Sequence, residues 1–412
     1  MSFFINGIYP DILRGYIITL YYDKMKVLHV IPIISNRYGG PAAVCNELTR
    51  ELVRQGIEVT ILTTCLDYPS GLLNVTPDVP IEMDGVKIYY FSVQFRPFVI
   101  SIQMCSFLWR EIQTFDLLHI HGVYRFPQIF SAWCARKNSI PYMVRPHGSL
   151  DPYIFYQKRN KFLKRIYEFL FAMPMLRKAT AIHFTTTEEQ RLTDFLNISD
   201  HGIVVPNGVE LSRYNMLPRF GSFREKWGIK SDESVILFLG RINFKKGLDL
   251  LIPAFAKIIE KKIKIKLIIA GPDNDYYKKK VQQWINRAGV NNDVIFTNML
   301  HGNDVLSAYV DADLFVLPSY SENFGIAVVE AMACGCPVVI SNHVNIWQEV
   351  DMANAGLVTR CNVNELFDAM QILLSNRQLR HDMGLAGKML VQKKYSWEKI
   401  ASELTKHYNS LG

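Results

Sequence analysis

The chain has 412 residues and lacks any run of about 18 apolar residues, the length that crosses the hydrocarbon of a bilayer. Its most apolar N-terminal stretch, Phe3 to Tyr22, is interrupted by Pro10, Asp11 and Arg14. It also has no basic region ahead of its apolar part and no convincing cleavage site, which makes it a poor signal peptide. Cysteine is sparse and odd in number: Cys45, Cys65, Cys105, Cys134, Cys334, Cys336 and Cys361 are widely spaced and mostly in apolar surroundings. That excludes a disulfide framework and suits reduced thiols in a cytoplasmic protein. Cys334-Gly-Cys336 has no second Cys or His pair close in sequence, so it falls short of a zinc site. No G-x-G-x-x-G follows the first strand-like run, which argues against a dinucleotide dehydrogenase, and no Walker A pattern occurs, which argues against a P-loop phosphotransferase. Nor is there a nucleic-acid-binding module or an aromatic–basic interleaving, so nucleic acid is not an expected partner.

What is present is a chain rich in hydrophobic residues (49%), long enough for two or three domains. The formal charge of +8 is scattered, a balance that favours anionic partners. Met25-Lys26 followed by the apolar run 27–34 looks like a chain start entering a first strand, so residues 1–24 are expected to be an extension outside the fold. From there short β-branched runs alternate with amphipathic ones, the rhythm of a doubly wound parallel sheet. Strands are expected at 27–34, 59–64, 86–91, 117–120, 142–145, 181–186 and 203–205, with helices at 42–54, 158–176 and 188–196 among others. The rhythm restarts after Asn207, with strands at 235–240, 265–271, 294–298, 314–318 and 337–340 and helices at 248–261, 278–288, 304–310, 325–333 and 364–374. The expected organisation is a Rossmann-like half over 25–207, a second over 208–394 and a final segment, 395–412, whose helix returns to the first half. Ser396 suits its N-cap. Open parallel sheets bind ligands at the carboxyl ends of their strands, so the two halves should face each other across a binding cleft.

Four groups of residues at those strand ends could carry chemistry. Glu322 lies in the loop after the strand 314–318 and Glu330 in the following helix, among apolar neighbours. A buried carboxylate needs donors, and the two hydroxyls of a ribose would serve. The amides of Asn323, Phe324 and Gly325 at the helix start can hold sugar oxygens or an anion. In the stretch 239–247, Arg241, Lys245 and Lys246 follow a strand end, placed for a diphosphate. His147 sits in a tight Pro146–Gly148 loop after a strand, His121 precedes Gly122, and His119 is read as packing. His119 and His121 are taken to point to opposite faces of their strand. Gly39 and Gly40 let a backbone approach a phosphate or sugar closely. Two D-x-D triplets, Asp311-Ala312-Asp313 and Asp273-Asn274-Asp275, are read as a helix-end and turn pair and as a loop with helix capping, not as metal sites.

Taken together, the loop 39–40, DLLHIHG (116–122), RPHGSLDP (145–152), PNGVE (206–210), GRINFKKG (240–247), AGPD (270–273) and SENFGIAVVEAMACGCPVV (321–339) resemble the retaining glycosyltransferases of family 4. The resemblance spans residues 25 to about 408 and implies the GT-B architecture, two Rossmann-like α/β domains around a cleft. RPHG followed by L-D-P is similar to the subgroup of bacterial surface-polysaccharide assembly. The resemblance implies a metal-independent enzyme without cofactor that moves a sugar, with retention, from a nucleotide-sugar donor to a glycan or lipid-linked acceptor. It implies that Arg241 and Lys246 hold the donor diphosphate and that Glu330 binds the ribose. Glu322 with Asn323, Phe324 and Gly325 would hold the transferred sugar, His147 would lie near it, Gly40 would approach the phosphate or acceptor, and Gly39 and His121 would lie on the acceptor side. No covalent nucleophile and no general base are implied. The stretch 157–171, with Lys158, Arg159, Lys161, Lys164 and Arg165 beside apolar residues, suits peripheral contact with an anionic membrane, hence the inner face of a plasma membrane. Rival readings are a nucleotide-sugar epimerase or hydrolase of the same architecture and a non-catalytic nucleotide-sugar binder.

Overall fold

The computed structural model describes residues 24–35, 40–67, 71–157, 166–273 and 275–412. The expectations for residues 1–23, Gly39, Asn274 and the basic cluster 158–165 lie outside the described residues.

The β-branched runs form strands because both of their faces are covered, which is what continuous apolar segments require. The first sheet holds β1 (Lys26–Val30), β2 (Glu58–Thr64), β3 (Ile81–Met83), β4 (Val86–Phe91), β5 (Leu117–His121), β6 (Tyr142–Arg145), β7 (Ala181–Phe184) and β8 (Gly202–Val204). Their order is β3-β4-β2-β1-β5-β6-β7-β8, parallel except for β3, which pairs antiparallel with β4. The second sheet holds β9 (Ser234–Leu239), β10 (Ile265–Ala270), β11 (Val294–Asn298), β12 (Leu314–Leu317), β13 (Val338–Ser341) and β14 (Gly356–Thr359), all parallel in the order β11-β10-β9-β12-β13-β14. The short strands β3 and β14 were not anticipated from the sequence, nor was the helix Arg377–Lys394.

Five helices flank the cleft or join the two halves: α1 (Gly40–Arg54), α2 (Leu248–Glu260), α3 (Ile326–Ala333), α4 (Arg377–Lys394) and α5 (Trp397–Leu411). The second half has one core built on its sheet and on α2 and α3, joined by Met383 and Val391 of α4. The first half has a cluster on each side of its sheet. One of these contains Trp397, Ile400, Ala401, Leu404 and Tyr408 of α5 together with Val27, Cys45, Leu48 and Leu117. Those α5 residues fall at i, i+3, i+4, i+7 and i+11, one stripe of a helix. The chain therefore crosses between halves twice, at one place. Val209 N–H donates to Tyr395 O at 2.8 Å, and Gly208 lies under the Trp397 indole. Ser396 caps α5 by accepting from Lys399 N–H at 3.3 Å.

Candidate functional site

Two loops at the carboxyl ends of β9 and β12 build the site in the second half. The first, residues 240–247, ends in Gly247, whose φ of 67° is in the left-handed region. A Cβ there would stand 1.9 Å from Pro318 O, so glycine lets this loop press against the loop after β12. Tyr320 N–H donates to Lys245 O at 2.7 Å and locks the two together. The result is an ion pair between Lys246 Nζ and Glu322, both half-buried, from positions far apart in sequence. Arg241 is exposed on the first of these loops, near Lys245. Burial and the nearby Arg241 push the Lys245 ammonium below its usual range, against the pull of Glu322 and Asp151. The diphosphate candidates Arg241 and Lys246 and the sugar candidate Glu322 are thus gathered on one loop pair.

Glu322 is further fixed through its backbone: its N–H donates to His343 O and its carbonyl accepts from Asn345 N–H, each at 3.0 Å. Phe324 is buried edge-on to Tyr395, with ring centroids 5.5 Å apart, and Gly325 starts α3. Glu330 on α3 is half-buried, and its Oε2 accepts from the hydroxyl of fully buried Tyr309 at 3.1 Å. Burial pushes its carboxyl above the usual range, while the Tyr309 hydrogen bond and Arg213 pull it back. A carboxylate has about four acceptor positions, so one tyrosine leaves room for ribose hydroxyls.

The first half contributes the RPHG turn. His147 has φ 53° and Gly148 φ 70°. A Cβ on Gly148 would lie 2.6 Å from Asn323 Cβ, so this glycine permits a close approach between the halves. The Asn323 amide lies 3.1 Å from Thr185 Oγ1; turned so that its NH2 faces the carboxylate, it donates to Glu189 Oε1 at 2.8 Å. Glu189 also accepts from Gly148 N–H at 2.9 Å and from Thr185 N–H at 2.7 Å. Ser321 donates to Asp151 at 2.8 Å across the same gap. Sequence reasoning missed Glu189, although Thr186-x-x-Glu189 is a capping-box pattern that marks it as the third residue of a helix. Beside this contact is a pocket of about 450 Å³, lined by Asp151, Tyr153 and Arg191 from one half and Asn342, His343 and Trp347 from the other. Neither Lys246, Glu322 nor Glu330 lines it. Gly40 is exposed at the start of α1, and a Cβ there would meet nothing within 4 Å.

The placement of His119 and His121 on opposite faces is corrected. Residues two apart on a strand share a face, and the two rings stack with centroids 4.6 Å apart. His119 is also more than packing, because Tyr408 and His183 hydrogen-bond to it. His121 Nδ1 lies 3.0 Å from His147 Nε2, and His121 Nε2 lies 3.0 Å from His29 Nδ1. With Cys45, His29 and His121 are the group that could hold a metal ion among the described residues. The two D-x-D triplets serve elsewhere. Buried Asp311 accepts from the N–H groups of Gly221, Phe223 and Arg224, and Asp273 from that of Tyr277. All seven cysteines are free thiols.

Comparison with known proteins agrees with this fold. Residues 220–389 match the family described as "Glycosyl transferases group 1", and residues 39–208 match a "Glycosyl transferase 4-like domain". An uncharacterized glycosyltransferase of Methanocaldococcus jannaschii, MJ1178, is 30% identical over 73% of this chain and 77% of its own length. A second from that organism, MJ1607, is 27% identical over 90% of this chain and 94% of its own. Among solved structures, Anabaena Alr3699/HepE in complex with UDP-glucose superposes with a TM-score of 0.75 at 18% identity, covering 94% of this chain and all (100%) of that one.

Proposed function

The chain belongs to the glycosyl transferases of group 1, with the GT-B fold, and from that premise we propose that it moves a sugar from a nucleotide diphosphate donor to a glycan or lipid-linked acceptor, with retention and without a metal. The observation that carries the donor site is the ion pair of Lys246 with Glu322 on two interlocked strand-end loops, with exposed Arg241 on the first loop and Glu330 on the helix after the second. Two cations suit a diphosphate, and they stabilise the charge that develops on it as the sugar leaves. The leaving phosphate then helps to deprotonate the acceptor, so no protein nucleophile is required. Glu330 would accept the ribose hydroxyls, and Glu322 with the Asn323–Gly325 segment would hold the sugar. The Anabaena complex with UDP-glucose supports a nucleotide-sugar donor.

On the acceptor side, the open space at Gly40 and a pocket of about 490 Å³ lined by Asn46, Glu47 and Arg50 together with Ile34, Leu73 and Val75 suit an acceptor with both polar and apolar surface. A role in surface-polysaccharide assembly on the cytoplasmic face of a membrane rests on the RPHGSLDP stretch and on exposed Ile166, Phe169, Leu170 and Phe171, which come after the basic cluster in sequence. No helix among the described residues is long and apolar enough to cross a membrane.

The deciding experiment is release of nucleotide diphosphate from UDP-, GDP-, ADP- and dTDP-sugars, with acceptor extracts and EDTA present. Release from one donor should survive EDTA and be lost in Glu330→Ala and Lys246→Ala. A chain that binds no nucleotide diphosphate at all refutes the donor site. For the membrane, flotation with anionic vesicles should carry wild type upward and leave Phe169→Ser/Phe171→Ser behind; equal flotation of both removes those aromatic residues from the contact.

A further inference from the structure

Beneath the cleft His147 heads a continuous buried chain of hydrogen-bonding groups. His147 Nε2 meets His121 Nδ1 at 3.0 Å, and His121 Nε2 meets His29 Nδ1 at 3.0 Å. His29 Nε2 meets the Tyr408 hydroxyl at 3.5 Å, the longest link, and that hydroxyl meets His119 Nδ1 at 2.6 Å. His119 Nε2 meets His183 Nδ1 at 3.3 Å, and His183 Nε2 ends the chain on Val205 O at 2.8 Å. His147 is half-buried; the other members are fully buried.

The proton positions are set from the far end. A carbonyl only accepts, so His183 carries its proton on Nε2. A neutral imidazole then has a bare Nδ1, which accepts from His119 Nε2–H. His119 Nδ1 must accept from Tyr408, and the tyrosine oxygen accepts from His29 Nε2–H. The same step repeated puts the proton on Nε2 of His121 and of His147. Neutrality is what fixes this direction: an imidazolium inside the chain would reverse every link between itself and His147, and one at His147 would occupy Nδ1. Burial, with fully buried Arg145 adding its charge, lowers the imidazole pKa at His29, His119, His121, His147 and His183, to about 3 at His29. A metal on His29, Cys45 and His121 would need His121 Nε2 bare and would break the chain.

We propose that this chain fixes His147 as its Nε2–H tautomer, leaving Nδ1 as a proton acceptor for a sugar hydroxyl in the cleft, and that Tyr408 of α5 is a positioning residue for it. The sugar rests on the function proposed above; the tautomer does not. The test is nitrogen-15 NMR of the histidine rings at neutral pH, by two-bond proton correlation, on the full chain purified with and without added zinc. Wild type should show the non-titrating imidazoles all neutral and all protonated on Nε2. In Tyr408→Phe, His119 and His183 should stay so, while His29, His121 and His147 become mixed. With the donor found by the release screen, kcat of that variant should fall about fivefold, the worth of one neutral hydrogen bond, with the donor KM unchanged. A buried ring protonated on Nδ1, an imidazolium, a stoichiometric zinc, or tautomers unmoved in Tyr408→Phe would each overturn the proposal. If no donor is found, the wild-type spectrum still decides it.

Discussion

Glu330 shows how one buried partner sets the working range of a side chain. Its carboxyl is pushed up by burial and held down by the Tyr309 hydroxyl and Arg213. The form that accepts ribose hydroxyls is the carboxylate, present above the pKa and lost as pH falls through it. Tyr309→Phe removes one of the groups holding that pKa down. The acid limb of kcat/KM should therefore move to higher pH, and the donor KM at neutral pH should rise roughly fivefold. An acid limb that stays in place would show that Tyr309 serves only the fold. Part of this residue-level arrangement was legible: Lys246 of 240–247 and Glu322 of 321–330 come together at strand ends, as their position after two strands implies. The histidines were read less well. Period two places His119 and His121 on one face, but their partners His29, His183 and Tyr408 come from three other elements, and no local pattern links them.

At the scale of elements, strongly periodic segments announced themselves and weakly buried ones did not. The segments 278–288 and 397–411 are helices over their full span, because their apolar stripes repeat at helical spacing. Strand β3 is exposed along its length, and β14 opens with a glycine, so neither shows the buried β-branched run that marks its neighbours. Helix α4 buries only Met383, Gly384, Gly387 and Val391; two of these are glycines seated against Gly335 and Met332, a contact that hydrophobic periodicity does not reveal. Helix α5 belongs to the first half by its packing. Leu404→Ala, in the middle of its buried stripe, should cost about 2–5 kcal/mol of stability on denaturation. Hydrogen exchange should then speed up in β1 and β5 while the second sheet keeps its protection. Loss of protection confined to α5 would mean that the helix is an appendage.

At the scale of the molecule, the alternation of strand and helix, and its restart after Asn207, made a two-sheet fold readable from the chain alone. The meeting of the halves was not readable. Asn323 finds Glu189 and Thr185, Ser321 finds Asp151, and Gly148 makes room for Asn323, yet each partner looks ordinary in its own stretch. Such pairs are decided by how two finished surfaces fit together.

The double crossing beside Trp397 also has a temporal side. Residues 26–204 leave the ribosome with one face of their sheet still lacking Trp397, Ile400, Leu404 and Tyr408, which are made only after the whole second half. A nascent chain stalled near residue 390 thus carries a second half nearly complete beside a first half with an open apolar groove. That groove closes only once α5 has emerged, so the first half completes its core after the second.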